Sequence, residues 1–261
     1  GATMAPHARS ALVARRTGTL QMKAAGAGGL YRPLVVLGAG IVAALNIGKL
    51  PPALPALQQS FGMSLLQASF LVSVFQVAGM GFGLFSGVLA DRFGPRFVMA
   101  SGLGLLGAAS AAGALATTPA ALLATRALES AGFILVVLPG PALLRRVLPF
   151  ERLSVALGYW GSYMPTGTAI ALAATPWLIS AGGWQLAWWL ATLAAGGTLV
   201  LVVRTLPPDP PQHAIQVRVF ALARDTVRAP GPWLLAACFG LYAGQFIAVF
   251  GFLPTAYQSA G

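Results

Sequence analysis

Gly87-Val88-Leu89-Ala90-Asp91-Arg92-Phe93-Gly94-Pro95-Arg96 is a short polar turn set between two long apolar runs, roughly 65–90 and 97–117. A run of about 20 mostly apolar residues is long enough to cross a bilayer as a helix. A turn this short makes the two runs antiparallel neighbours. Within it, Gly87 permits close helix packing and Gly94 a tight reversal. Asp91 ends a span beside Arg92 and Arg96, so it is expected to pair with an arginine.

On either side of this hairpin the pattern repeats. Further runs fall at about 33–57, 120–144, 153–180, 184–203 and 233–256, which makes seven spans in all. They are separated at Gln58–Ser64, Thr117–Pro119, Arg145–Arg152, Gly182–Gly183 and a long polar stretch, Arg204–Pro232. The composition agrees. Of 261 residues, 57% are hydrophobic and 8% charged, with mean hydropathy +0.78. A soluble domain carries about 25% charged residues. This chain therefore cannot furnish a water-facing surface, and a soluble enzyme is excluded. Disorder is excluded as well, because disordered chains are poor in apolar residues. The spans are rich in Gly, Ala and Ser, which let membrane helices approach closely, so a packed all-α bundle is expected. The single cysteine, Cys238, forms no internal disulfide.

Charge placement gives the orientation. Fourteen of the 16 Lys and Arg residues fall in the N-terminal tail and in the loops after spans 2, 4 and 6, and none in the opposite loops. Such an asymmetry predicts a cytoplasmic N-terminus in a cytoplasmic (inner) membrane. It also disposes of nucleic acid as a partner, since the surplus faces anionic lipid headgroups. Four segments are expected: 1–32, a basic cytoplasmic tail without a secretory signal; 33–203, a six-helix bundle; 204–232, a cytoplasmic loop; and 233–261, a seventh transmembrane helix. In the loop, Ile215, Val219 and Leu222 alternate with Arg218, Arg224 and Arg228. That spacing fits either a surface amphipathic helix or a solvated linker.

The 87–96 loop resembles the signature loop of the major facilitator superfamily, usually written G-x-L-a-D-r-x-G-r-r. Gly87, Leu89, Asp91, Arg92 and Gly94 match, Arg96 matches a further basic position, and Pro95 replaces a basic residue. In span 4, Arg126 and Gly132 match the family's l-x-x-R-x-x-x-G-x-G, with Ser130 in place of the first glycine. Span 5 departs from the pattern of drug-efflux antiporters, having Met164 before Pro165 and Thr168 after Gly167. The resemblance implies a fold of two six-helix halves, of which this chain holds the first half, the central loop and the opening helix of the second. Five further family helices are absent from the chain. A second half, in a longer chain or a partner, is implied as well. It also implies that Gly87, Asp91, Arg92, Gly94 and Arg96 form a latch between the halves that favours the outward-open state.

Three ionisable residues lie inside spans: Lys49, Arg126 and Glu129. Each costs roughly 2.5–3.5 kcal/mol at mid-membrane. At 1.5 Å per residue, Lys49 sits about 12 Å from the outer end of span 1, Arg126 about 10 Å and Glu129 about 15 Å into span 4. The three are therefore expected in one layer. Arg126 and Glu129 are also spaced i, i+3 for pairing. Two readings stay open. The three form a site of net charge +1 for an anionic solute, with Glu129 the proton carrier because no histidine lies in any span. Alternatively, Arg126–Glu129 is a structural pair and Lys49 snorkels outward along its stem. Asn46, Gln76, Tyr159, Tyr163, Tyr242 and Gln245 are further candidates for lining the same cavity or for inter-helix bonds. Trp184, Trp188 and Trp189 open span 6 at the outer face, where an aromatic belt is expected. Pro51 and Pro52 are expected to bend span 1 beside Lys49, and Pro139 and Pro141 to bend span 4.

No phosphate-binding G-x-x-x-x-G-K-[ST] and no metal-ligand or catalytic constellation occurs, so neither a cofactor nor an enzyme is expected. The expected function is secondary, proton-coupled transport of a small solute by alternating access, with an organic anion favoured. Drug or metabolite efflux is the alternative substrate class. A shortened relative that binds a ligand or partner without transporting is the rival reading.

Overall fold

The computed structural model describes residues 30–64, 66–75, 89–90 and 92–210, and further on 228–231, 233–234, 237–238, 240–241 and 245. The chain divides into two units, Gly1–Gln212 and His213–Gly261. In the first, the elements are α1 (Tyr31–Gly48), α2 (Leu50–Phe61), α3 (Leu66–Phe75), α4 (Pro95–Ala114), α5 (Pro119–Val137), α6 (Gly140–Val147), α7 (Phe150–Gly161), α8 (Tyr163–Gly182) and α9 (Trp184–Thr205). All are helices, as the sequence predicts, and no strand occurs among the described residues. In the second unit the described residues are largely helical, with Trp233, Leu234 and Leu241 exposed. The stretch 215–224 lies outside the described residues, as does most of span 7.

Among the described residues, four stretches are long and apolar enough to cross a membrane: Tyr31–Phe61, Pro95–Ala114, Pro119–Val147 and Trp184–Thr205. They coincide with spans 1, 3, 4 and 6. α8 is as long as α4, and Tyr163, three threonines and two prolines are among its 20 residues.

Proline explains the interruptions. Pro51 and Pro52 have no N–H, so the carbonyls of Ile47 and Gly48 lose their helical donors, and the break falls at Lys49. The backbone remains right-handed there, with φ −68° and ψ −24°. Pro139 and Pro141 separate α5 from α6 in the same way. A third break, at Ser162, was not foreseen. Pro165 cannot donate to Gly161, and Ser162 N–H turns to the Tyr159 carbonyl at 3.0 Å instead. α5 starts as its sequence dictates: Thr118 caps it, accepting from Ala121 N–H at 3.2 Å, and Pro119 follows at the first helical position.

Lipid tails are as apolar as leucine, so helices in a bilayer are held by close contact rather than by the hydrophobic effect. Two seams supply that contact. A Cβ on Gly132 would meet the backbone of Leu106 and Gly102, where α5 crosses α4. A Cβ on Gly167 would run into the Ile41 carbonyl, where α8 crosses α1. Two apolar clusters result. One gathers Val36, Met99, Leu103, Val136, Leu144 and Trp160. The other gathers Leu50, Leu57, Leu71, Leu122, Trp184 and Trp188. Between them along the helices lies a buried polar layer of Asn46, Lys49, Ser110, Thr125, Arg126, Glu129 and Ser130.

Candidate functional site

The polar layer centres on one carboxylate. Lys49, from the break in span 1, directs its ammonium inward and bonds Glu129 Oε1, Ser110 Oγ and Asn46 Oδ1, each at 2.7 Å. An ammonium has three donors, and all three are engaged. Arg126, one helical turn before Glu129 on α5, donates from Nη1 to Glu129 Oε2 and to the Asn46 carbonyl at 2.9 Å. Lys49, Arg126 and Glu129 are 3%, 1% and 0% exposed. One anion thus neutralises one of two cations, and the layer keeps a formal charge of +1. Two rings close it off: Lys49 Nζ lies 4.5 Å from the Trp188 ring centroid, and the Arg126 guanidinium 4.8 Å from that of Phe75. Such contacts stabilise a desolvated cation. Arg126 Nε is buried and has no partner among the described residues.

The depth arithmetic therefore brings Lys49, Arg126 and Glu129 together as expected, and Asn46 joins them. Lys49 does not snorkel: its donors point into the bundle. Arg126–Glu129 does form the i, i+3 pair, inside a triad that includes Lys49. Tyr163 is elsewhere. It packs against Trp160 at 4.8 Å and against Gly40, about 13 Å from Lys49 along the helix. Tyr159 is 66% exposed. It lines an apolar pocket of about 320 Å3 with Leu34, Leu37, Leu148 and Val155, with Glu151 and Arg152 among the lining residues. Gln245 is exposed, in the second unit. Gln76 and Tyr242 lie outside the described residues.

The expected aromatic belt needs correction. Trp188 is fully buried and Trp184 is 3% exposed, packed edge-to-face at 5.3 Å. Only Trp189 shows the partial exposure of a belt residue. A run of tryptophans at a span entrance suits a belt and a core equally. The helix period turns residues 184 and 188 to one face and 189 away from it. Ser110 and Phe75 were also missed, because one serine among small residues and one phenylalanine among apolar ones carry no local signal.

A second ionic cluster sits at the helix ends. Gly87 and Asp91 lie outside the described residues, and Arg92 lies over the Phe93 ring at 5.3 Å. Arg96 and Gly94 instead meet Asp209, which the sequence reading passed over. Asp209 accepts from the backbone N–H of Arg96 at 3.2 Å and of Phe97 at 2.8 Å, and pairs with Arg146. A carboxylate on the first N–H groups of α4 satisfies orphan donors and complements the helix dipole. Gly94 makes room for it: its φ is +91°, and a Cβ there would collide with the Asp209 side chain. Arg96 Nη2 donates to the Val203 carbonyl, and Arg146 Nη2 to that of Pro208 at 3.2 Å.

Sequence comparison identifies the family. Residues 36–261 match the profile of the Major Facilitator Superfamily. The chain belongs to that superfamily. Members are multi-pass membrane transporters, not enzymes. Among curated relatives, the puromycin resistance protein pur8 of Streptomyces alboniger is 32% identical over 180 residues, 67% of this chain and 35% of that protein. The tetracenomycin C resistance and export protein of Streptomyces glaucescens is 26% identical over 233 residues, 84% of this chain and 41% of that protein. This member of the superfamily thus spans well under half of the curated relatives it matches. Solved structures share the fold. The peptide transporter POT in complex with sulfate aligns with a TM-score of 0.62 at 15% identity, over 91% of this chain and 50% of that one. The proton:xylose symporter XylE does so with 0.62 at 16%, over 84% and 55%.

Proposed function

We propose that this superfamily member is the N-terminal half of a secondary transporter that exports a small organic molecule across the cytoplasmic membrane, with its N-terminus inside. The observation that carries the reading is the triad. Two cations share one carboxylate, buried between apolar clusters and contributed by two spans, both interrupted by proline. Intramembrane charge at this cost is a functional feature by default. A net positive layer favours a molecule bearing an anionic group, and Glu129 is the group placed to exchange a proton. The arginine asymmetry supports the orientation. Pur8 and the tetracenomycin C protein are named for resistance and export, which supports an antibiotic-type cargo moving outward. The domain reading goes with this: tail, six-helix bundle, central loop and seventh helix, completed by the five remaining helices of the second half. The segmented spans give the bundle places to bend as it alternates access.

The test is resistance. Expression of the complete protein in an antibiotic-hypersensitive bacterium should raise the inhibitory concentration of carboxylate-bearing compounds, and Lys49→Ala should abolish the gain. Full resistance in Lys49→Ala removes the triad from the mechanism. Resistance confined to cationic compounds overturns the anion preference.

A further inference from the structure

Lys49 is held from two directions that the proposed export mechanism does not use. Ser110, on α4, accepts from Lys49 Nζ at 2.7 Å and donates to the Trp188 carbonyl at 3.1 Å. Trp188, on α9, covers the same ammonium with its ring at 4.5 Å. The same carbonyl also accepts from Thr192 Oγ1 at 3.0 Å, so the Trp188 backbone is fixed independently of Lys49. Trp184 and Phe61 continue the aromatic stack at 5.3 and 5.7 Å, and bulk lipid is kept from the amine. The charged groups facing Lys49 among the described residues are Glu129 and Arg126, one attracting and one repelling it. Without further support, the repulsion favours an ammonium that swings away from Arg126. Ser110 and Trp188 supply that support: an acceptor for one donor, and a ring face for the side that no carboxylate reaches.

We infer that Ser110 and Trp188 are positioning residues that hold the Lys49 ammonium, charged, against Glu129. The inference rests on the reading of the triad as the transport site, but its test does not depend on transport. The chain has two lysines, Lys23 and Lys49, so each can be followed by mass spectrometry. The intact protein in detergent is treated at fixed pH with a small membrane-permeant acylating ester, and the Lys49:Lys23 labelling ratio is measured. In the wild type the ratio is expected to be low, because a protonated and fully bonded amine is a poor nucleophile. Ser110→Ala and Trp188→Leu should each raise it at least about tenfold, the scale of a lost hydrogen bond to a charged group in the first and of a lost cation–ring contact in the second. Ser110→Thr and Trp188→Phe, which keep the hydroxyl and a ring, should restore a low ratio. Leu103→Ala, a cavity in the other apolar cluster on the helix of Ser110, should leave the ratio unchanged. Wild-type ratios in Ser110→Ala and Trp188→Leu overturn the inference, and so does an equal rise in Leu103→Ala. Loss of resistance in Lys49→Ala with unaltered labelling in the Ser110 and Trp188 variants removes this inference alone. Full resistance in Lys49→Ala removes the transport reading and leaves the labelling result standing.

Discussion

The triad at Glu129 and the cluster at Asp209 each centre on a single carboxylate, facing two cationic side chains in the first and one, Arg146, in the second, and they work under different physics. Around Glu129 every partner is dry, and the contacts come mostly from side chains. Around Asp209 the partners are partly wet, with Arg146 27% and Asp209 11% exposed, and two of the contacts are backbone N–H groups at a helix start. In the dry case, removing one charge strands another where water cannot reach it. In the wet case solvent and salt absorb most of the loss. The difference separates a cluster whose charge balance no solvent can restore from one that fastens helix ends within reach of water.

Glu129→Gln should break the comparison hardest. It leaves two buried cations without an anion, at a cost of roughly 3–5 kcal/mol, visible as a collapse of the thermal midpoint in detergent or as failure to accumulate. Lys49→Met leaves the neutral Arg126–Glu129 pair and should cost less, about 1–3 kcal/mol in the same melt. If Lys49→Met proves the worse of the two, Glu129 is not the hub. Asp209→Ala should cost about 1–2 kcal/mol, as a lost helix cap does. Its difference from wild type should narrow as salt rises from about 0.05 to 1 M, while that of Glu129→Gln persists. Gly94→Ala meets a backbone cost of about 1–3 kcal/mol. Part of that penalty should vanish in an Asp209→Ala background, and strict additivity would show that the two residues do not share the space. At the small end, Trp189→Leu should stay within about 0.5 kcal/mol of wild type. Trp188→Leu, one position away, should exceed it clearly.

What was legible in the sequence follows from range. Hydropathy reports each span locally, and the rise of a helix fixes depth, so Lys49 could be matched to Glu129 across 80 residues. Asp209 could not be matched to Arg96, 113 residues away, because it lies in a polar Pro-Pro-Asp-Pro run outside any span, where no periodicity constrains depth. Ser162 was missed for another reason. Its signal is Pro165, whose missing N–H breaks the helical ladder at Gly161, but a proline inside a membrane span does not by itself say whether the helix bends or stops. Ser110 and Trp188 show the third limit. Their role exists only where three helices meet, and no single helix announces it.

Asp209 also stands just past the C-terminal end of α9. It is one residue before Pro210 and the long polar stretch beyond, and it grips the first turn of α4 and the last turn of α6 together. In mechanical terms it is a strain relief. A load applied to the chain at Pro210 would meet a wet, replaceable ionic joint before it met the dry triad.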